Sequence, residues 1–163
     1  VKSTNEWIPF GKYIQGDYQG DRFGISLSMS DNGLTWIAGA DNNININVES
    51  RQDDNNNIKR RDGYAKVYSM NHNGEWAQRG RTILGSNGSW TGYAVAMSGD
   101  GQTICVSDRF YSVRKGFQPG RVRCFKWWHT DWRKLGGDLL GDYHRENIGY
   151  SLSLNGDGTV LAI

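Results

Sequence analysis

The sequence predicts an all-β protein assembled from repeats of one four-stranded antiparallel unit. Three observations predict it. The same pattern of residues is written three times along the chain. Within each copy, large apolar residues alternate with small polar ones in short runs, the period of a half-buried strand. Of 163 residues 22 are glycine and only 2 proline, beside 7 Trp and 8 Tyr. That composition suits short strands joined by tight turns.

The copies begin Trp7-x3-Gly11-x2-Ile14-x-Gly16, Trp76-x3-Gly80-x2-Ile83-x-Gly85 and Trp132-x3-Gly136-x2-Leu139-x-Gly141. Each leads into an alternating run, from Phe23, Gly92 and Gly149, and then a turn centred on Gly33, Gly101 and Gly158. The tryptophans lie 69 residues apart (7 to 76) and then 56 (76 to 132). The unit is therefore about 57 residues, with about 11 more in the first copy between Ala40 and Gly63. A fixed period in the tens of residues marks a repeat architecture.

Within the first copy, Phe23–Met29 alternates as a strand and Asp31-Asn32-Gly33 is a turn, where Gly and Asn tolerate positive φ. Thr35–Ala40 is the returning strand, Tyr64–Met70 a third and Trp76–Leu84 a fourth, with the 72–75 turn between the last two. Four antiparallel strands per unit describe one blade of a β-propeller. A stacked solenoid favours shorter repeats and stands second.

The full pattern, W-x3-G-x2-I-x-G, then Phe23-Gly24 with its alternating serines, then Gly39-Ala40 and Gly63-x-x-x-Val67-Tyr68, resembles the FG-GAP, integrin-α-like β-propeller repeat. It is most similar to the secreted or surface repeat proteins of bacteria and algae. The second copy departs furthest, with Trp90-Thr91-Gly92 at the Phe-Gly position and Ser107-Asp108 at the Gly-Ala position. The resemblance implies that the strand from Phe23 is innermost and the Trp strand outermost. It divides the chain into residues 1–22 (outer strand of a preceding blade and its connection), 23–91 (blade one, with an insert at 41–62), 92–148 (blade two) and 149–163 (the start of blade three). About three blades form an incomplete ring, because closed propellers have at least about four. Missing blades or neighbouring subunits are expected to complete it.

Composition excludes several function classes. The net charge of +2 is nearly balanced, so nothing asks for nucleic acid or an anionic membrane. No apolar run approaches the roughly 18 residues of a membrane span. The chain starts at Val1 and not Met, and reads as processed or trimmed, so the lack of a leader says nothing of compartment.

Integrin-like propellers often hold Ca²⁺ in D-x-D-x-D-G hairpins, so the resemblance raises a metal. The hairpins here, Ser30–Gly33, Ser98–Gly101 and Asn155–Gly158, each carry one carboxylate. Calcium takes six to eight oxygens, so no cofactor is expected. The insert is the other oxygen-rich place, with Asp41, Asn43, Asp53 and Asp54; a solvated loop and an ion or ligand site are both open. By the topology that the resemblance implies, the insert shares one rim with Trp90 and with Arg109, Phe110, Tyr111, Arg114 and Phe117, where aromatics beside arginine suit protein or sugar contacts. Aromatics covering a blade edge would explain the same residues.

Cys105 and Cys124 occupy the positions of Ile37 and Val67. They would form either a cross-strand disulfide, if the register aligns them, or two buried thiols. Asn87-Gly88-Ser89 is an N-x-S/T sequon and a candidate N-glycosylation site. His72, His129 and His144 are dispersed, and no nucleophile elbow or metal-ligand spacing occurs, so no catalytic residue is assigned. The expectation is a non-catalytic binding and structural module, secreted or at a cell surface, presenting loops to a protein or glycan. Two alternatives are a scaffold subunit of a larger extracellular or membrane-associated assembly, and part of an enzyme whose site lies in blades outside this sequence.

Overall fold

In the computed structural model, residues 2–3, 6–42, 62–86, 88–115 and 117–163 are described. They form an all-β structure of antiparallel sheets without a helix. The first sheet is a meander of β3 (Ser26–Met29), β4 (Thr35–Ala40), β5 (Tyr64–Met70) and β6 (Trp76–Gln78), and β7 (Ile83–Leu84) pairs with the far end of β5. The second is a meander of β8 (Thr91–Met97), β9 (Thr103–Asp108), β10 (Arg121–Trp128) and β11 (Asp131–Leu140). Two ribbons flank them: β1 (Lys2–Ser3) with β2 (Glu6–Trp7), and β12 (Ser153–Leu154) with β13 (Leu161–Ala162). The sheets do not close on one another. No helix among the described residues is long and apolar enough to cross a membrane.

The strand pairing repeats with the sequence. Ile37 faces Val67 across β4 and β5, and Cys105 faces Cys124 across β9 and β10. The two sulfurs are bonded, with the Cα atoms 4.1 Å apart. The span Trp76–Leu84 is two short strands and not one. The break falls where Arg79 turns toward the second sheet, its Nη1 donating to the Gly101 carbonyl at 3.1 Å.

Strand β8 packs on β3 and β4, and the core lies between the two meanders. Ile37, Ala65, Val67 and Ile83 of the first sheet meet Val95, Met97, Ile104, Val106, Phe125 and Trp132 of the second. Each large apolar side chain buried there contributes about 1.5–3 kcal/mol. Successive repeats are also tied by backbone contacts at corresponding turns. The Asp31 amide donates to Gly99 O and the Asp100 amide to Gly156 O, linking each hairpin tip to the next. Gly63 bridges Thr91 and Gly120 bridges Ile148, both in parallel.

Candidate functional site

The connections entering each repeat share one local solution. A side-chain oxygen caps the turn by accepting an amide three residues upstream: Asp21 from Tyr18, Ser89 from Ser86 and Glu146 from Tyr143. The next residue is left-handed, with φ of 60° at Arg22, 54° at Trp90 and 57° at Asn147. Two positions after Arg22 and Trp90, and two after Asn147, come Gly24, Gly92 and Gly149, again at positive φ, where glycine lacks the steric penalty of a Cβ. This geometry throws the side chains at 22 and 90 outward beside the start of each strand.

Arg22 is fixed by Asp41, its Nε 2.8 Å from Oδ1 and its Nη2 on Oδ2. Asp41 is fully buried, so its carboxylate holds Arg22 in place and does not face outward. The Arg22 guanidinium lies 5.9 Å from the Trp90 ring centroid, and Trp90 meets Phe110 edge-on at 4.6 Å. Beyond Phe110, the Arg109 guanidinium lies over a pair of contacting tyrosine rings, 4.5 Å from Tyr93 and 4.7 Å from Tyr150, whose centroids are 5.4 Å apart. The Tyr93 hydroxyl shares a hydrogen bond with Tyr150, which raises its pKa above the ordinary tyrosine value. Arg109 Nε is buried and has no hydrogen-bond partner among the described residues.

Of the residues singled out in the sequence, Asp41, Trp90, Arg109 and Phe110 thus fall in one cluster. Tyr111 lies to one side, stacked under the Arg121 guanidinium at 3.7 Å. Arg114 and Phe117 form a separate turn, where Arg114 lies over the Phe117 ring at 5.6 Å and His144 stacks on the same ring at 6.3 Å. Asn43, Asp53, Asp54 and Asn87 lie outside the described residues. Arg22, Tyr93 and Tyr150 join the cluster without having been singled out. Their signal was present in the repeat: tyrosine follows Gly92 and Gly149, whereas Ile25 follows Gly24.

One side-chain oxygen of each hairpin is taken up by its own turn. Asn32 Oδ1 accepts from Ser30 and Leu34, Asp100 Oδ1 from Ser98 and Gln102, and Asp157 Oδ1 from Thr159. The Thr159 hydroxyl and amide hold the exposed Asp157 below the usual carboxylate value. Among the described residues no group of three or more His, Cys, Asp or Glu side chains converges where a metal ion could sit. The cluster therefore offers aromatic faces and a planar cation packed on two of them, a set suited to stacking. No protein-family model matches this chain, and no curated protein shows significant similarity to it.

Proposed function

We propose that this chain is a non-catalytic binding and structural module, built as blades of an FG-GAP-like β-propeller and displayed outside the cell or at its surface. The rim formed by Arg22, Trp90, Tyr93, Arg109, Phe110 and Tyr150 presents a protein or glycan with a stacking surface. The observation that carries the reading is the Arg109 guanidinium packed on the Tyr93 and Tyr150 rings, beside the Trp90–Phe110 pair. A guanidinium fixed by two rings has lost its rotamer freedom before binding, so less entropy is lost when a ligand docks. The meander order of both sheets and the equivalent links between repeats support the propeller reading. The Cys105–Cys124 bond supports an oxidising compartment.

The test is binding of the fluorescently labelled chain to an array of oligosaccharides and, in parallel, to a panel of immobilised extracellular matrix proteins. Binding on either surface is expected to fall at least tenfold in Tyr150→Ala and Arg109→Ala. Retention of wild-type binding by both variants would sink the rim reading. The alternative, a scaffold subunit, is favoured by a different observation: both outer faces of the stacked sheets expose large apolar side chains, including Leu27 and Met29 on β3 and Leu135 and Leu139 on β11.

A further inference from the structure

We infer that the groove between the first and second sheets binds an acidic saccharide, its carboxylate or sulfate group on Arg79 and its ring beside Trp127. The inference stands apart from the rim reading, because none of the rim residues lines this groove.

The groove has a volume of about 380 Å³ and lies beside the tip of the β10–β11 hairpin. One wall is the end of β5 and β6, with Asn71, Gln78 and Arg79; the other is Trp127, His129 and Thr130. Both walls come from the two meanders, so the groove is an internal junction and not an edge of the repeat pattern.

The pair at its base is particular to this junction. Arg79 stands immediately before the motif glycine, where the other copies have Phe10 and Leu135, and Trp127 takes the place of Met70. The two junctions correspond in space: a Cβ on Gly11 would lie 3.7 Å from Met70 Cε, and one on Gly80 would lie 2.9 Å from Trp127 Cζ3. A phenylalanine and a methionine in the first junction are thus replaced by a cation on an aromatic ring. The Arg79 guanidinium lies 4.3 Å from the Trp127 centroid and 5.5 Å from that of Trp132. Trp132 is seated on Gly80, and its Nε1 donates to the Arg79 carbonyl at 2.8 Å. Arg79 Nη1 and Nη2 donate to Gly101 O and Gln102 Oε1 at 3.1 and 3.2 Å. The side chain is therefore fixed before any ligand arrives, which reduces the entropy lost on binding.

Its charge is not answered. None of the ten residues lining the groove carries a carboxylate, and Arg79 forms no ion pair among the described residues. The carboxylates on the flanking turns are engaged elsewhere. Glu75 faces Lys12, Asp131 faces Arg81, and Asp100 accepts from the Ser98 hydroxyl and the Gln102 amide. Burial pushes the Arg79 guanidinium below its ordinary value, with only Asp100 acting against it. A half-buried guanidinium that uses two of its five N–H donors is a receptor for an anion. Around it, Asn71, Gln78, His129 and Thr130 supply amide, imidazole and hydroxyl groups. His129 holds a left-handed backbone, φ 53°, whereas the corresponding turn of the first sheet uses Gly74 for its left-handed residue. Strained non-glycine residues of this kind cluster at ligand sites. An aromatic ring beside hydrogen-bonding groups suits a pyranose, and the cation selects one that carries a uronate or a sulfate.

The test is calorimetric titration of the chain with three hexasaccharides: a galacturonate hexamer, a sulfated glucose hexamer and a neutral glucose hexamer. At least one acidic hexamer is expected to bind about tenfold or more tightly than the neutral one. Which of the two binds separates uronate from sulfate as the source of the anion. Arg79→Leu and Trp127→Met each introduce the residue found at the equivalent position of another copy, Leu135 and Met70, and circular dichroism confirms that both are folded. Each is expected to weaken acidic binding by about tenfold or more. Tyr150→Ala, on the rim, is expected to leave it unchanged. So is Arg133→Ala, which removes the same charge from the opposite face of the hairpin, since Arg133 pairs with Lys126 and adjoins the Trp127↔Trp132 pair. Acidic hexamers that bind no better than the neutral one overturn the proposal. So does an equal loss in Arg133→Ala and Arg79→Leu, which would be general attraction to positive charge. A loss in Tyr150→Ala with none in Arg79→Leu also overturns it, and would place the sugar on the rim.

Discussion

Arg123 holds both oxygens of Asp108, with Nε 2.7 Å from Oδ2 and Nη2 2.9 Å from Oδ1. Asp108 is fully buried, and it also accepts from Arg121 Nε at 2.6 Å and from the Thr91 hydroxyl. In the first repeat the equivalent of Asp108 is Ala40, and the positions of the two arginines are Tyr64 and Lys66. There the carboxylates come from the connection: Asp21 accepts from Tyr64 Oη and Asp17 from Lys66 Nζ. The two repeats satisfy the same buried corner from different elements.

Removing the Asp108 carboxylate should therefore be among the most damaging single changes. Asp108→Ala leaves Arg123, whose side chain is 14% exposed, without an anion, and leaves Arg121, 12% exposed, with Asp138 alone. Breaking one partner of a buried pair typically destabilises by about 3–5 kcal/mol. Urea unfolding checks this; a loss under about 1 kcal/mol would show that solvent or another group takes the anion's place.

The Cys105–Cys124 bridge joins the central strands of the second sheet across 19 residues of sequence. Closing a loop of that size stabilises by about 3 kcal/mol through the unfolded chain. Reduction should lower the urea midpoint by a corresponding amount, and Cys105→Ala with Cys124→Ala should match the reduced wild type. Equal midpoints with and without reductant would show that the bond adds nothing to stability. Because the pair replaces Ile37 and Val67, Cys105→Ile with Cys124→Val should recover part of the loss by filling the space.

The central strands were legible in the sequence: Thr35–Ala40 and Tyr64–Met70 have the same bounds in the structure, and both are mostly buried. The alternating run Phe23–Met29 is a strand only over Ser26–Met29, because the left-handed Arg22 and Gly24 belong to the incoming turn. The fourth strand was not: Arg79 still donates its amide to Val67, but its side chain and carbonyl serve residues from 22 to 53 positions away, Gly101, Gln102 and Trp132, and the strand breaks after Gln78. A local period carries no information about such a partner. The rim was half legible for the same reason. Trp90 stood out by breaking the repeat and Arg109 and Phe110 as an aromatic beside arginine in a loop, whereas Arg22, Tyr93 and Tyr150 look like ordinary repeat positions until the fold brings residues 22, 41, 90, 109 and 150 together.

Two glycines separate the effect of backbone from that of the tryptophan seat. Gly74 and Gly80 have nearly the same φ, 74° and 75°. A Cβ at Gly74 meets nothing within 4 Å, whereas one at Gly80 runs into Trp132, Asp131 and Trp127. Gly74→Ala should cost only the left-handed penalty, about 1–2 kcal/mol. Gly80→Ala should cost that plus the overpacking term, typically about 1–3 kcal/mol more. Thermal or urea unfolding of the pair checks the difference; equal losses would mean that the ring slides aside at no cost.

The Tyr64–Asp21 bond should shape both ends of the pH–stability curve. Burial pushes the Asp21 carboxyl up, but hydrogen bonds from Tyr64 Oη and from the amides of Phe23 and Tyr18 outweigh it and hold the group below the usual carboxylate value. A carboxylate depressed in the folded state binds its proton more readily when unfolded. Its contribution is complete above the unfolded value, about pH 4, and is lost as pH falls through the folded one. Burial, and then the bond to Asp21, push the Tyr64 phenol well above its ordinary value. The unfolded tyrosine ionises from about pH 10, so this contribution is complete below pH 10 and fades as pH rises further. Tyr64→Phe deletes the phenol and one donor to Asp21. It should flatten the alkaline limb and also make the acid limb shallower, because the folded Asp21 then titrates closer to its unfolded value. Asp21→Asn should flatten the acid limb, leaving the part owed to Asp100, Asp131 and Asp138, which are also depressed. Guanidinium midpoints measured from acid to alkaline pH for the three proteins check both signs. An alkaline limb unchanged in Tyr64→Phe would mean that another tyrosine, with Tyr68 also raised by burial, governs that end.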